Sequence, residues 1–215
     1  MKQKRKILWV LLVAGSMLLL FSGCGTRHPA EPVRYYTLYY SPPEPLEGRE
    51  VREGADERPV FIHVKRLHAL PPFNTTHIVY ADSPFQRSKY VYHQWVTTPT
   101  DMLTALLVRD IEASGVADMT MAMPSGKTVT HRVEGTIIDF YENDEGPQWE
   151  AVIALRLALT RMDPASRTGE ILFQKTYRET KPLEKNNPHE LARSMSTAMG
   201  AVSRQFIQDI VEVLP

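Results

Sequence analysis

Apolar residues recur along this chain at two different periods, and the change of period marks its elements. Between Thr98 and Gly115, Met102, Leu103, Leu106, Leu107 and Ile111 recur at helical spacing. Thr98 reads as the N-cap, Pro99 takes the first helical position, Asp101 stands three residues after the cap, and Gly115 supplies a stop. From Val116 the period becomes two. Strands are predicted at 116–122, 129–142, 148–162 and 170–180, with turns at Pro124-Ser125-Gly126-Lys127, Asn143 to Pro147 and Asp163 to Gly169. In the third of them Trp149, Ala151, Ile153, Leu155, Leu157 and Leu159 point one way, while Glu150, Ala154, Arg156, Ala158 and Thr160 point the other. One face is therefore expected to be covered and the other wetter. Asn187-Pro188-His189-Glu190 repeats the capping pattern and opens a last helix to about Val213, with Leu191, Met195, Ala198, Met199, Val202, Phe206, Ile210 and Val213 as its stripe. Each fully buried Leu or Ile stabilises by roughly 1.5–3 kcal/mol, so these stripes outweigh any cap.

Upstream of the first helix the signals are shorter. Val33 to Tyr40 is aromatic and β-prone, and predicts a first strand. Residues 41–59 bring four prolines, two glycines and dense mixed charge, which predicts a flexible, solvated loop. Val60, Ile62 and Val64 share one face of a strand that Leu70-Pro71-Pro72 stops. His77 to Ala81 and Lys89 to Trp95 predict a hairpin whose exposed tip is 82–88. Two amphipathic helices with seven or eight strands imply an α+β fold. It is a two-layer domain over 33–215 in which both helices pack on a mixed or antiparallel sheet.

The first 32 residues differ in kind. Lys2, Lys4, Arg5 and Lys6 precede an apolar run from Ile7 to Phe21, the layout of a secretory signal peptide over residues 1–23. At roughly 15 residues that run is shorter than the ~20 a spanning helix needs. It ends in Leu20-Phe21-Ser22-Gly23-Cys24, and Cys24 is the single cysteine of the chain. Ser22 and Gly23 before it resemble the bacterial lipobox, with Phe21 in place of the usual Leu. The resemblance implies cleavage before Cys24, a diacylglycerol on its sulfur and an acylated amino group. Several acyl chains anchor firmly where one binds only marginally. Gly25 follows the cysteine, where Asp would hold a lipoprotein in the inner membrane under the enteric sorting rule, so Gly25 favours the outer membrane. Residues 24–32 then read as a tether.

Charge and chemistry narrow the function. The chain carries 25 basic and 25 acidic residues, and loss of the signal leaves 21 against 25, a net charge of about −4, which argues against nucleic acid. With no second cysteine to pair, the fold rests on its own core. Ser125-Gly126-Lys127-Thr128 looks like a P-loop tail, but Met121 stands where the leading glycine belongs and a strand follows, so a turn is the reading. The seven histidines form no metal-ligand spacing, and no nucleophile elbow is present. No metal, no cofactor and no catalysis are expected. The aromatic clusters are more informative: Tyr35, Tyr36, Tyr39 and Tyr40, then Phe73, Tyr80, Phe85, Tyr90, Tyr92 and Trp95. Either they fill the core and brace edge strands, or some form a binding face for a partner protein or lipid.

The run Tyr36-Thr37-Leu38, then Ile62-x-Val64, Leu70-Pro71-Pro72-Phe73, Ile78-Val79-Tyr80, Tyr92-x-x-Trp95 and a leucine-rich helix ending near Gly115 resembles the ABC-type transport auxiliary lipoproteins. These PqiC-like proteins accompany MCE lipid transport systems. Asn74-Thr75-Thr76 and Val96-Thr97-Thr98-Pro99 depart from the family pattern, both in loops. The resemblance implies a non-enzymatic protein, lipid-anchored on the periplasmic face of the outer membrane. There it would dock an MCE-domain protein whose permease and ATPase sit in the inner membrane, for lipid trafficking between the two. A homo-oligomeric ring would suit that role. Phe73, Tyr80, Phe85, Tyr90, Tyr92 and Trp95, on the Leu70–Trp95 stretch, are the candidate partner-binding residues. A general envelope-assembly or secretion accessory lipoprotein shares the anchor and fold, and a periplasmic hydrolase is the third reading.

Overall fold

The computed structural model describes residues 31–46, 59–122, 129–163 and 168–214. The signal segment, the lipobox-like residues Ser22, Gly23, Cys24 and Gly25, most of the 41–59 loop and the Ser125-Gly126-Lys127 turn lie outside them. In chain order the elements are β1 (Arg34–Tyr36), β2 (Phe61–Val64), β3 (His68–Ala69), a 3-10 turn (Pro71–Phe73), β4 (His77–Ser83), β5 (Gln86–Trp95), α1 (Pro99–Ser114), β6 (Met119–Met121), β7 (His131–Asn143), β8 (Glu150–Met162), β9 (Gly169–Pro182) and α2 (Pro188–Val213). The nine strands form one mixed sheet with both helices packed on it, the expected two-layer α+β domain.

Both helices begin where their caps direct. The Thr98 side chain accepts from the Asp101 amide, and that of Asn187 accepts from His189 and Glu190. Gly115 closes α1 at φ 69°, the left-handed conformation that a Cβ disfavours.

β7 organises the sheet. One of its edges pairs antiparallel with β8 along its whole length, from His131↔Arg161 to Asn143↔Glu150. The other edge is divided among three short parallel partners in turn, β2 at Ile62↔His131, β3 at His68↔Thr136 and β4 at Tyr80↔Glu142. A bulge between Ile137 and Asp139 shifts the alternation, so that Val133 and Ile137 before it and Phe140 after it all enter the core. Under α2, Ala151, Ile153, Leu155, Leu157 and Leu159 of β8 are fully buried.

The opposite face of β8 is drier than expected, since Val152 and Ala154 are buried too. Phe73 of the 3-10 turn stacks on Tyr141, the cross-strand partner of Val152. Arg178 and Asp139, which flank Ala154 on the two neighbouring strands, join in an ion pair over it.

Several boundaries differ from the sequence reading. The 33–40 strand is only Arg34–Tyr36, and 116–122 contracts to Met119–Met121. The seven-residue hairpin tip is two residues, Pro84-Phe85. Instead of continuing as strand, Thr37 to Tyr40 lies as a strap over the helices, and residues 41–46, the described part of the expected loop, follow without regular structure and mostly exposed. Leu38 is buried, the Tyr39 amide donates to Ser196 Oγ of α2, and the Leu46 amide donates to the Ser114 carbonyl at the end of α1. Tyr40 fixes the strap: its hydroxyl donates to the fully buried Asp110 at 2.6 Å, while Arg109 lies over its ring and donates to its carbonyl. Burial and the Asp110 carboxylate push the Tyr40 phenol well above its ordinary range.

Two outcomes follow from this packing. A Cβ at Gly135 would lie 2.5 Å from Leu157 Cδ2 and 2.6 Å from the Arg156 carbonyl oxygen, so Gly135→Ala is expected to cost about 1–3 kcal/mol, read as a lower urea midpoint. Tyr40→Phe removes the phenol donor from a buried carboxylate and is expected to cost about 1–3 kcal/mol in the same measurement.

Candidate functional site

The β4–β5 hairpin and the edge strand β1 carry most of the candidate aromatic residues, and local irregularity decides which way each one points. The register runs from His77↔Gln94 to Val79↔Lys89, so β5 accommodates three extra residues between Tyr90 and His93. That wide bulge turns Tyr90 and His93 under the hairpin, with Tyr90 edge-on to the His93 ring at 5.6 Å and beside Tyr80 at 5.0 Å. The Tyr36 hydroxyl and His93 Nδ1 share a hydrogen bond of 2.8 Å, which ties β1 to the same cluster.

Phe73 and Trp95 prove to be core residues. Trp95 is 2% exposed against Phe140, and Phe73 is buried on Tyr141, so neither offers a surface to a partner. Tyr80 and Tyr90 are half-buried within the cluster. Phe85 and Tyr92 face outward: Phe85 is 99% exposed at the tip, and Tyr92 is exposed on the sheet's outer side near β1. The sequence reading did not single out Val33, Val91 or Val96, which are also exposed, nor separate the exposed Tyr35 and Tyr39 from the half-buried Tyr36 and Tyr40. Strict alternation across Tyr35-Tyr36 and Trp95-Val96 was the available signal for two of them.

Beneath the hairpin lies a buried acid. Glu142 is 0% exposed, and its Oε1 accepts from the Tyr90 hydroxyl at 2.7 Å; Oε2 has no hydrogen-bond partner among the described residues. Burial, with a smaller contribution from the nearby Asp144 charge and against the Tyr90 hydrogen bond, pushes this carboxyl up to about 7. Asp144 is likewise raised, by burial and then by Asp82. The groups around Glu142 are thus phenols and carboxylates, with no nucleophile and base in contact. Elsewhere, His131 is held below its ordinary range by burial and the Arg161 charge. Among the described residues no three His, Cys, Asp or Glu side chains gather to hold a metal, and no helix is long and apolar enough to cross a membrane. What the hairpin region offers is an exposed apolar tip beside a half-buried aromatic cluster.

A family model described as "ABC-type transport auxiliary lipoprotein component" matches residues 36–206, from the end of β1 into the last turns of α2. The crystal structure of protein XCC0632 from Xanthomonas campestris is similar with a TM-score of 0.71 at 16% identity, covering 84% of this chain and 96% of that one. A second crystal structure, of an uncharacterized protein, has a TM-score of 0.63 at 15% identity and covers 84% and 99%. At such identities the likeness concerns the fold. No curated protein matches the sequence at a significant level.

The raised Glu142 carboxyl has a consequence for stability. The stabilisation from its neutral form is fully present below its ordinary value of 4.5 and is lost as pH rises through about 7. Glu142→Gln, which keeps an acceptor for Tyr90 without the charge, is expected to match the parent in urea unfolding near pH 4.5 and to exceed it at pH 8. Equal midpoints at pH 8 would contradict the burial argument.

Proposed function

The chain belongs to the family of ABC-type transport auxiliary lipoprotein components, and from that membership we propose that it is the lipid-anchored periplasmic auxiliary component of an MCE-type ABC transport system. In this reading it docks the system to the outer membrane for lipid trafficking between the two membranes, and performs no chemistry itself. The observation that carries the reading is the family match over 36–206, which takes in the strap, the hairpin and both helices. The anchor is Cys24, supported by the basic and apolar run before it and by Ser22 and Gly23; Gly25 supports the outer membrane as destination. Energy for transport then comes from the inner-membrane ATPase, and this chain acts as a fixed receptor for the MCE-domain protein.

The docking element in this proposal is the hairpin tip. Phe85 is a large apolar side chain left wholly in water at the end of a strand pair, a costly arrangement for an unpartnered surface. Because the tip projects beyond the core, it can be altered without disturbing Trp95 or Phe140.

The test is co-purification of an MCE-domain protein from detergent-solubilised envelopes. Phe85→Asp is expected to reduce its recovery by about tenfold, the effect of losing ~1.4 kcal/mol of contact, with an unchanged melting temperature. Cys24→Ser is expected to release the chain from the membrane fraction. Undiminished recovery with Phe85→Asp would remove the tip from the interface.

A further inference from the structure

Of the eleven large apolar residues exposed among the described residues, five gather at one sheet edge, while Tyr39, Leu46, Leu70, Phe85, Ile171 and Val211 are exposed singly elsewhere. Among the described residues, Val33, Tyr35, Val91, Tyr92 and Val96 are exposed and all lie on β1, on the part of β5 beside it, or directly flanking them. Strand geometry puts Tyr35, Tyr92 and Val96 on one face. Tyr35 pairs with Gln94 and alternates with Tyr36, which turns under to His93; Tyr92 and Val96 alternate with His93 and the buried Trp95. Tyr35 is 64% exposed and Val96 61%.

Charge sorts the same way. β1 and β5 contain Arg34, Arg87 and Lys89 and no carboxylate. Arg87 lies over the Tyr141 ring, whereas Arg34 and Lys89 have no ionic partner among the described residues. Tyrosines with an apolar body and a polar tip, aliphatic side chains between them and cations at the margin fit a phospholipid headgroup layer.

Chain length supplies the occupant. Eight residues, 25–32, separate the proposed anchor Cys24 from Val33, where the chain enters this patch, so the acylated cysteine lies at most roughly 30 Å away. We propose that the outer face of β1 and the adjoining end of β5, centred on Tyr35, Tyr92 and Val96, rests on the lipid surface that holds the anchor. The inference depends on lipidation at Cys24. It deepens the docking proposal by giving it a direction: the hairpin extends from His77↔Gln94 to Ser83↔Gln86, about 20 Å, so the patch and the Phe85 tip are at opposite ends of one hairpin. With the patch on lipid, the tip points away from the patch towards a partner.

Lipidation of the single native cysteine leaves an introduced cysteine as the only free thiol. Full-length chains carrying Tyr35→Cys or Val96→Cys, with Ile171→Cys on the opposite sheet edge as control, are labelled with an environment-sensitive fluorophore and reconstituted in phosphatidylethanolamine/phosphatidylglycerol vesicles with and without brominated acyl chains. The expected result is flotation with the vesicles, blue-shifted emission at 35 and 96 that brominated lipid quenches, and neither change at 171. Flotation with unquenched labels at 35 and 96 overturns the inference while the anchor stands. A blue shift that brominated lipid leaves unquenched assigns the patch to a protein contact, including a second copy, and also overturns it. Failure to float overturns the anchor and the inference together.

Discussion

The structure depends on one strand having two different kinds of edge. β8 occupies one side of β7 completely and carries β9 beyond it, so the remaining strands build out from the other side, where β2, β3 and β4 each find room for two or three residues. The arrangement works only because β7 bulges between Ile137 and Asp139. A one-residue slip reverses every side chain beyond it. Without the bulge Phe140 would leave Trp95, and Glu142 would turn away from Tyr90, so the bulge both seals the core and seats the hairpin.

Much of this was legible in the residues. Caps at Thr98 and Asn187 and the stop at Gly115 fixed both helices, since local hydrogen bonding and one backbone conformation set a helix end. Long alternating strands were legible for the same reason of locality. What escaped was non-local. Ser41-Pro42-Pro43 announces irregular backbone, yet nothing near it says that Tyr40 reaches Asp110, seventy residues on. Phe85 and Trp95 have the same parity along one hairpin and opposite fates, because the wide bulge at Tyr90–His93 resets the phase and the tip overshoots the sheet. The ionised-or-neutral question at Glu142 was equally invisible, since it turns on what the hairpin covers.

These features describe a scaffold with two ends. The helical layer is closed on its outside by the strap, whose Leu38 and Tyr40 fasten it to α1 and α2. Large apolar side chains are exposed together at the β1 edge and singly at the tip of β4–β5, with a cluster of Tyr36, Tyr80, Tyr90 and His93 between them. The chain belongs to a transport-auxiliary lipoprotein family, and it is this surface that the proposed docking would use.

Native-state hydrogen exchange tests the central claim most directly, because the claim is that β7 sets the register of the whole sheet. The account predicts that amides of β7 and β8 between Val133 and Phe140 and between Ile153 and Leu159 exchange only through global unfolding. Those of β5 between Arg87 and Tyr92, beyond the reach of β1, should exchange through a smaller opening. Exchange in β7 that precedes the hairpin, or a hairpin as protected as β8, would contradict it.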